Sequence, residues 1–146
     1  MLSKQNLSAP LFETFTLGNM TLSNRIVMAP MTRNQSPGGV PTEDVAAYYK
    51  SRAVGGVGLI ITEGTYIDHL GANGYPGVPA FYGEQALAGW KRVVEEVHAA
   101  GGKIAPQLWH VGRERRPGVE PDTSVPGFGP MSIVEDGVEV VRAMSE

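Results

Sequence analysis

The chain has 146 residues, with 12 basic and 15 acidic side chains for a formal charge of −3, 42% hydrophobic residues and no cysteine. This suits one ordinary globular unit and offers no electrostatic footprint for a polyanion or an anionic membrane, so no nucleic acid and no membrane partner is expected. Without cysteine there are no disulfide scaffolds, thiolate nucleophiles, cysteine-based zinc sites or iron–sulfur clusters, and redox chemistry must come from a cofactor.

No run approaches the ~18 apolar residues of a membrane span, and the first ten residues lack the apolar core of a signal peptide, so a cytoplasmic protein is expected. In chain order, Phe15–Leu22 places Gly18-Asn19 between two short alternating runs, a hairpin with a primed turn. Arg25–Pro30 is a continuous apolar run closed by proline and reads as a parallel core strand buried on both faces. After a Gly/Pro loop, Thr42 can cap a helix that opens with Glu43 and Asp44 and closes with Lys50 and Arg52 before Gly55-Gly56. Val57–Thr62 reads as a second buried strand, followed by a loop of about twenty residues rich in Gly and Pro. Leu87, Trp90, Val94 and Val97 form one apolar helix stripe, stopped by Gly101-Gly102. Lys103–Trp109 is a third strand, made awkward by Pro106, whose missing N–H a central strand needs. From Gly112 to Pro130 the chain reads as loop, and Asp136-Gly137 signals a second hairpin.

Repeated βα units of this length mean a parallel sheet with crossover helices, either doubly wound or a (β/α)8 TIM barrel. A full barrel needs about 250 residues, so the barrel reading makes this chain a partial one, with Ser145 as the cap of a helix whose body lies beyond it.

Reactive groups in such folds gather just past the carboxyl ends of the strands. Gln107 is the most informative residue there, because a carboxamide on an apolar strand must find partners. It suits either an imide-like ligand edge or a structural bond to backbone. Thr32 can donate to a ligand or close a local turn, and Gly64 can admit a flat ligand or simply turn the chain. Trp109 and His110 can wall a pocket, or else pack in the core and sit at a surface tip respectively. Arg113, Arg115 and Arg116 read as a solvated loop face, His98 as exposed and His69 as a loop residue. No metal-ligand spacing, nucleotide-binding glycine motif or nucleophile elbow occurs, so no metal is expected.

Three blocks, Leu17–Arg33 (LGNMTLSNRIVMAPMTR), Gly58–Gly64 (GLIITEG) and Gln107–Arg113 (QLWHVGR), together resemble the Old Yellow Enzyme family of flavin-dependent ene-reductases, from about Pro10 to the last residue. The resemblance implies a (β/α)8 barrel with an amino-terminal hairpin closing its bottom, of which residues 1–146 are the amino-terminal part of a single FMN-binding domain. It implies FMN as cofactor and NAD(P)H as reductant, with hydride passing to an alkene activated by a carbonyl or nitro group. Pro30 and Met31 are then implied as backbone contacts to the flavin, and Thr32 as a hydrogen-bond donor near flavin O4 and N5, favouring the reduced form. Gly64 is implied as a backbone contact, Gln107 as the partner of the pyrimidine edge, and Trp109 as a wall of the substrate pocket. The family's substrate-anchoring pair, tyrosine proton donor and phosphate-binding loops lie past the last residue here, so activity is expected only with the complementary portion of the barrel. The alternatives are a non-enzymatic partial barrel that self-associates or binds a partner chain, and a lyase or isomerase whose loop arginines bind a phosphorylated substrate.

Overall fold

The computed structural model describes residues 9–145, so the reading of residues 1–8 as lacking a leader lies outside the described residues. A single 3-10 turn (Ala9–Phe12) leads into the antiparallel strands β1 (Phe15–Leu17) and β2 (Met20–Leu22). Gly18 turns this ribbon at φ +56° while Asn19 does not enter the left-handed region, the type II′ form of the expected primed turn.

Three parallel strands follow, β3 (Val27–Met28), β4 (Leu59–Tyr66) and β5 (Ile104–Trp109), paired in sequence order with Met28 opposite Ile60 and Gly64 opposite Gln107. The crossovers are α1 (Glu43–Val54) and α2 (Glu84–Ala99). Thr42 caps α1 by accepting the Val45 N–H at 3.4 Å, with Glu43 and Asp44 at the positive end of the helix dipole. Both helices cover the same sheet face, where Met28, Ile60, Val45, Tyr49, Trp90, Val93 and Val97 form one core. A doubly wound sheet reverses its strand order and carries helices on both faces; sequential order with helices on one face is an arc of a barrel, here not closed. No helix among the described residues is long and apolar enough to cross a membrane.

Several boundaries depart from expectation. β3 pairs over two residues only, and at the edge of the sheet Val27 is 49% exposed instead of buried on both faces. β4 runs past Thr62 to Tyr66, since β5 keeps pairing with it across a register shift between Ile61 and Gly64. The same irregularity accommodates Pro106: the next N–H, that of Gln107, donates to Thr62 Oγ1 at 3.1 Å. On α2 the buried line is Ala86, Gly89, Trp90, Val93 and Val97, and the helix is turned so that Leu87 and Val94 instead flank an apolar groove of about 430 Å³ against Ile104 and Pro106 of β5.

The stretch read as loop after Gly112 holds a 3-10 turn (Gly112–Glu114) and β6 (Gly127–Gly129), whose Gly-Phe-Gly sequence gives no strand signal. β6 pairs in parallel with β8 (Val138–Ala143), and β7 (Ile133–Glu135) pairs antiparallel on the other side of β8. The expected turn at Asp136-Gly137 is present, with φ 50° and 80°. Ser145 caps no helix among the described residues.

Candidate functional site

The carboxyl ends of β3, β4 and β5 bring the sequence-selected residues to one end of the sheet. Pro30, Met31 and Thr32 leave β3 as an exposed, irregular segment. Gln107 stands opposite Gly64 in the ladder. Its main-chain N–H is held by Thr62, whereas its carboxamide has no partner among the described residues; the structural amide bonded to backbone is not what is found. The Thr32 hydroxyl likewise closes no local turn bond among the described residues.

Trp109 follows Gln107 by two positions and shares its sheet face. Its six-membered ring lies directly on Gly64: a Cβ there would stand 2.2 Å from Cζ3 and 2.3 Å from Cε3. Glycine is therefore required at 64 by this ring, a constraint that the sequence alone attributed to a ligand or a turn. Trp109 Nε1 is buried with no hydrogen-bond partner among the described residues, and Tyr75 packs at 5.9 Å between ring centroids.

Behind Gly64 lies a group that the sequence reading passed over. Glu63 is fully buried; its Oε2 accepts the Arg33 N–H at 3.0 Å, its Oε1 faces the Tyr49 hydroxyl at 3.4 Å, and its own N–H donates to that hydroxyl at 2.8 Å. Burial pushes the Glu63 carboxyl up, against the opposing pull of the Arg33 main chain and guanidinium and of Tyr49. Burial raises the Tyr49 hydroxyl as well. The Arg33 guanidinium lies 3.5 Å from the Tyr48 ring centroid. A lone carboxylate inside the run Ile60–Gly64 is the signal that would have found Glu63, by the same reasoning that singled out Gln107.

His110 is exposed, as a surface tip is, but it is not isolated. Its Nε2 lies 3.0 Å from His69 Nδ1, and Phe128 packs edge-on against both rings. His69 Nδ1 also accepts the Gly71 N–H and His110 Nδ1 the Gly112 N–H, which assigns the bridging proton to His110 Nε2. Burial, then His69, then Arg115 hold the His110 pKa below its ordinary value.

Arg115 overturns the reading of the loop arginines as a solvated face. It is fully buried and donates to the carbonyls of Asn73, Val119, Glu120, Asp122 and Val125, whereas Arg113 and Arg116 are exposed as expected. With its donors spent on main chain, Arg115 is not a phosphate ligand, and the lyase or isomerase reading loses that support.

The sequence profile of the NADH:flavin oxidoreductase / NADH oxidase family matches residues 10–146. The chain belongs to this family. It is 43% identical over 118 residues to 12-oxophytodienoate reductase 7 of Oryza sativa subsp. japonica, covering 81% of this chain and 29% of that protein. It is 39% identical over 119 residues to 12-oxophytodienoate reductase 2 of Arabidopsis thaliana, covering 82% and 31%. Morphinone reductase, solved in complex with tetrahydroNAD, superposes with a TM-score of 0.81 at 39% identity, over 92% of this chain and 40% of that one. The old yellow enzyme homologue from Zymomonas mobilis gives 0.80 at 32% identity, over 92% and 39%. The Old Yellow Enzyme resemblance thus holds, and a flavin with a nicotinamide reductant is the family's chemistry, in agreement with the FMN and NAD(P)H expected. The chain spans about a third of the length of the curated relatives it matches.

The residues present fit one flank of such a flavin. Among the described residues, a carboxamide with unmet donor and acceptor capacity, an exposed hydroxyl and a buried indole N–H without a partner stand at the same strand ends.

Proposed function

We propose that residues 1–146 form the amino-terminal part of a single FMN-binding barrel domain in an ene-reductase that uses NAD(P)H to reduce alkenes activated by a carbonyl or nitro group. FMN, when bound, supplies the hydride-carrying chemistry. Pro30 and Met31 would hold it through their backbone, the Thr32 hydroxyl would donate near its O4 and N5, and the backbone of Gly64 would lie against it. Gln107 offers donor and acceptor together to the imide edge, and Trp109 lines the substrate side. The Thr32 bond strengthens as negative charge builds on the acceptor, so it favours the reduced state over the oxidised one.

The observation that carries this reading is the pairing of Gly64 with Gln107, whose carboxamide has no partner among the described residues, beside an indole whose N–H has none among them either. The rest of the barrel must complete the site. The apolar groove between α2 and β5, with Leu87 45% exposed, is the surface on which the next βα unit docks. The same groove favours the second reading, a partial barrel that associates with a copy of itself or a partner chain without redox chemistry.

Flavin titration of the complete protein, followed by fluorescence quenching, tests the first reading. Gln107→Leu keeps the main-chain bond to Thr62 and removes the carboxamide. Each lost hydrogen bond is worth roughly 0.5–1.5 kcal/mol, so binding weakens about tenfold or more. An unchanged dissociation constant removes Gln107 from the site, and a complete protein that binds no flavin favours the second reading.

A further inference from the structure

We infer that Glu63 is a positioning residue for the flavin-side loop: its buried carboxylate, by accepting the Arg33 main-chain N–H, fixes Thr32 relative to Gly64 and acts on the cofactor through Thr32. This rests on the roles proposed above for Thr32 and Gly64.

The linkage is short and covalently tight at both ends. Thr32 is bonded to Arg33, whose N–H reaches Glu63 Oε2 at 3.0 Å, and Glu63 is bonded to Gly64. One hydrogen bond therefore sets the spacing of two segments that come from different strands. The loop needs it. From Ala29 to Ser36 the chain has no regular structure, and Asn34 sits at φ +58°. Its far end is tied separately, by Asn34 Nδ2 to the Pro76 carbonyl at 2.8 Å and by the Ser36 N–H to Gly77 at 2.9 Å. On the Thr32 side the main-chain hold is the Arg33 N–H on Glu63, beside the Arg33 guanidinium stacked on Tyr48 of α1.

The carboxylate is itself over-determined. Tyr49 of α1, fully buried, faces Oε1 and also accepts the Glu63 N–H, so the side chain and the strand are gripped by one hydroxyl. A fully buried carboxylate is expensive, and an apolar residue would serve the strand better. A charged acceptor earns its place where a main-chain N–H must be held firmly, since charge-assisted bonds are shorter and stronger than neutral ones. The Arg33 guanidinium lies over Tyr48, leaving the Arg33 N–H as the geometric link.

The test uses the complete, flavin-loaded protein and reads the reduction potential of the bound flavin and the rates of the two half-reactions, with thermal unfolding recorded for each variant. Glu63→Asp keeps the charge but shortens the arm, so its oxygen no longer reaches Arg33. It should move the potential negative, in the same direction expected for Thr32→Ala, and slow flavin reduction by NAD(P)H about three- to tenfold, the worth of one hydrogen bond. Glu63→Gln keeps the length and an acceptor oxygen but loses the charge, so it should fall between the parent and Glu63→Asp. Because Glu63 acts through Thr32, the Glu63→Asp/Thr32→Ala double variant should be within about twofold of Thr32→Ala alone. Effects that add in the double variant overturn the inference, and so does a Glu63→Gln variant as impaired as Glu63→Asp. If Glu63→Asp does not fold, the same cycle is run with Tyr49→Phe, which loosens Oε1 and leaves Oε2; additivity with Thr32→Ala again overturns the inference. A parent protein that binds FMN while the cycle is additive refutes Glu63 alone. One that binds no FMN refutes the proposed function and this inference with it.

Discussion

Arg115→Met should cost about 3–5 kcal/mol and release the segment from Arg116 to Val125. The Arg115 side chain is fully buried and bridges two loops: Nη1 donates to Asn73 from the β4–α2 connection, and the remaining donors serve Val119, Glu120, Asp122 and Val125. At roughly 1.5–3 kcal/mol for each bond to a charged group, five bonds added together would exceed the ~5–15 kcal/mol stability of a whole domain. They do not add, because the freed loop moves outward and most of its carbonyls regain water. The carbonyl of Asn73 stays inside, since that residue is only 2% exposed. One or two stranded acceptors at about 1–3 kcal/mol each, with the loss of the loop's anchor, give the stated range. Arg115→Lys retains the charge with three donors at a single point, cannot span both loops, and should fall between the parent and Arg115→Met. Urea denaturation gives the free energies, and amide exchange should show lost protection confined at first to residues 116–125. An Arg115→Met protein within about 1 kcal/mol of the parent, or a lysine variant equal to it, would refute the argument that geometry, and not charge alone, holds this loop.

Gly64→Ala places a methyl 2.2 Å from the Trp109 ring, which must retreat by roughly 1 Å or more; a loss of about 1–3 kcal/mol and a shifted tryptophan emission are expected, and an unmoved emission maximum argues against the contact. For the His69–His110 pair, the folded pKa of His110 lies below its unfolded value near 6.5, so the unfolded chain binds the extra proton. Stability is full above about pH 6.5 and falls as pH drops through that value toward the folded pKa; an NMR titration midpoint of His110 at or above 6.5 contradicts this. The 146-residue chain alone should associate, because Val27 and Leu108 are each about half exposed on edge strands, Met31 is as exposed in the segment past β3, and the α2–β5 groove is open; light scattering that shows a monomer with strongly protected strands refutes the prediction.

The architecture was legible where local chemistry and tertiary context agree. Thr42, the acidic first turn and Gly55 bounded α1 correctly, and Gly18 and Asp136-Gly137 marked both hairpins, since caps and turns are decided by a few neighbouring residues. The length of β4 was not legible, because Glu63, Gly64 and Thr65 become strand only when β5 pairs with them across a bulge. The face of α2 was missed by one position, as the choice between Val93 and Val94 depends on how the helix is turned between α1 and β5. At the site, Gly64 and Gln107 were placed together by the family resemblance, whereas Glu63, Tyr49 and the histidine pair came to light only through contacts between residues far apart in sequence, and Arg115 through the fold of its own loop.

The buried polar groups divide in a way that bears on function. At the opposite end of the sheet, Asn24 is fully satisfied by protein, donating to the Gly56 carbonyl at 2.7 Å and accepting the Ile26 N–H at 3.0 Å. Arg115, likewise, has all of its work inside the chain. Of the buried side-chain atoms left without partners among the described residues, Arg33 Nη1 and Trp109 Nε1 lie past β3 and at the end of β5, whereas Ser36 Oγ lies further on, in a fully buried residue whose main chain is tied to Gly77. An unmet buried donor costs roughly 1–3 kcal/mol, so a fold that tolerates several does so where something other than its own side chains is to meet them. In a barrel that place is the carboxyl end of the strands, which is where Thr32, Gly64 and Gln107 also stand. Stability is thus concentrated in the helix-covered face and the lower end of the arc, and hydrogen-bonding capacity is held in reserve at the upper end, where the rest of the barrel and the cofactor would complete it.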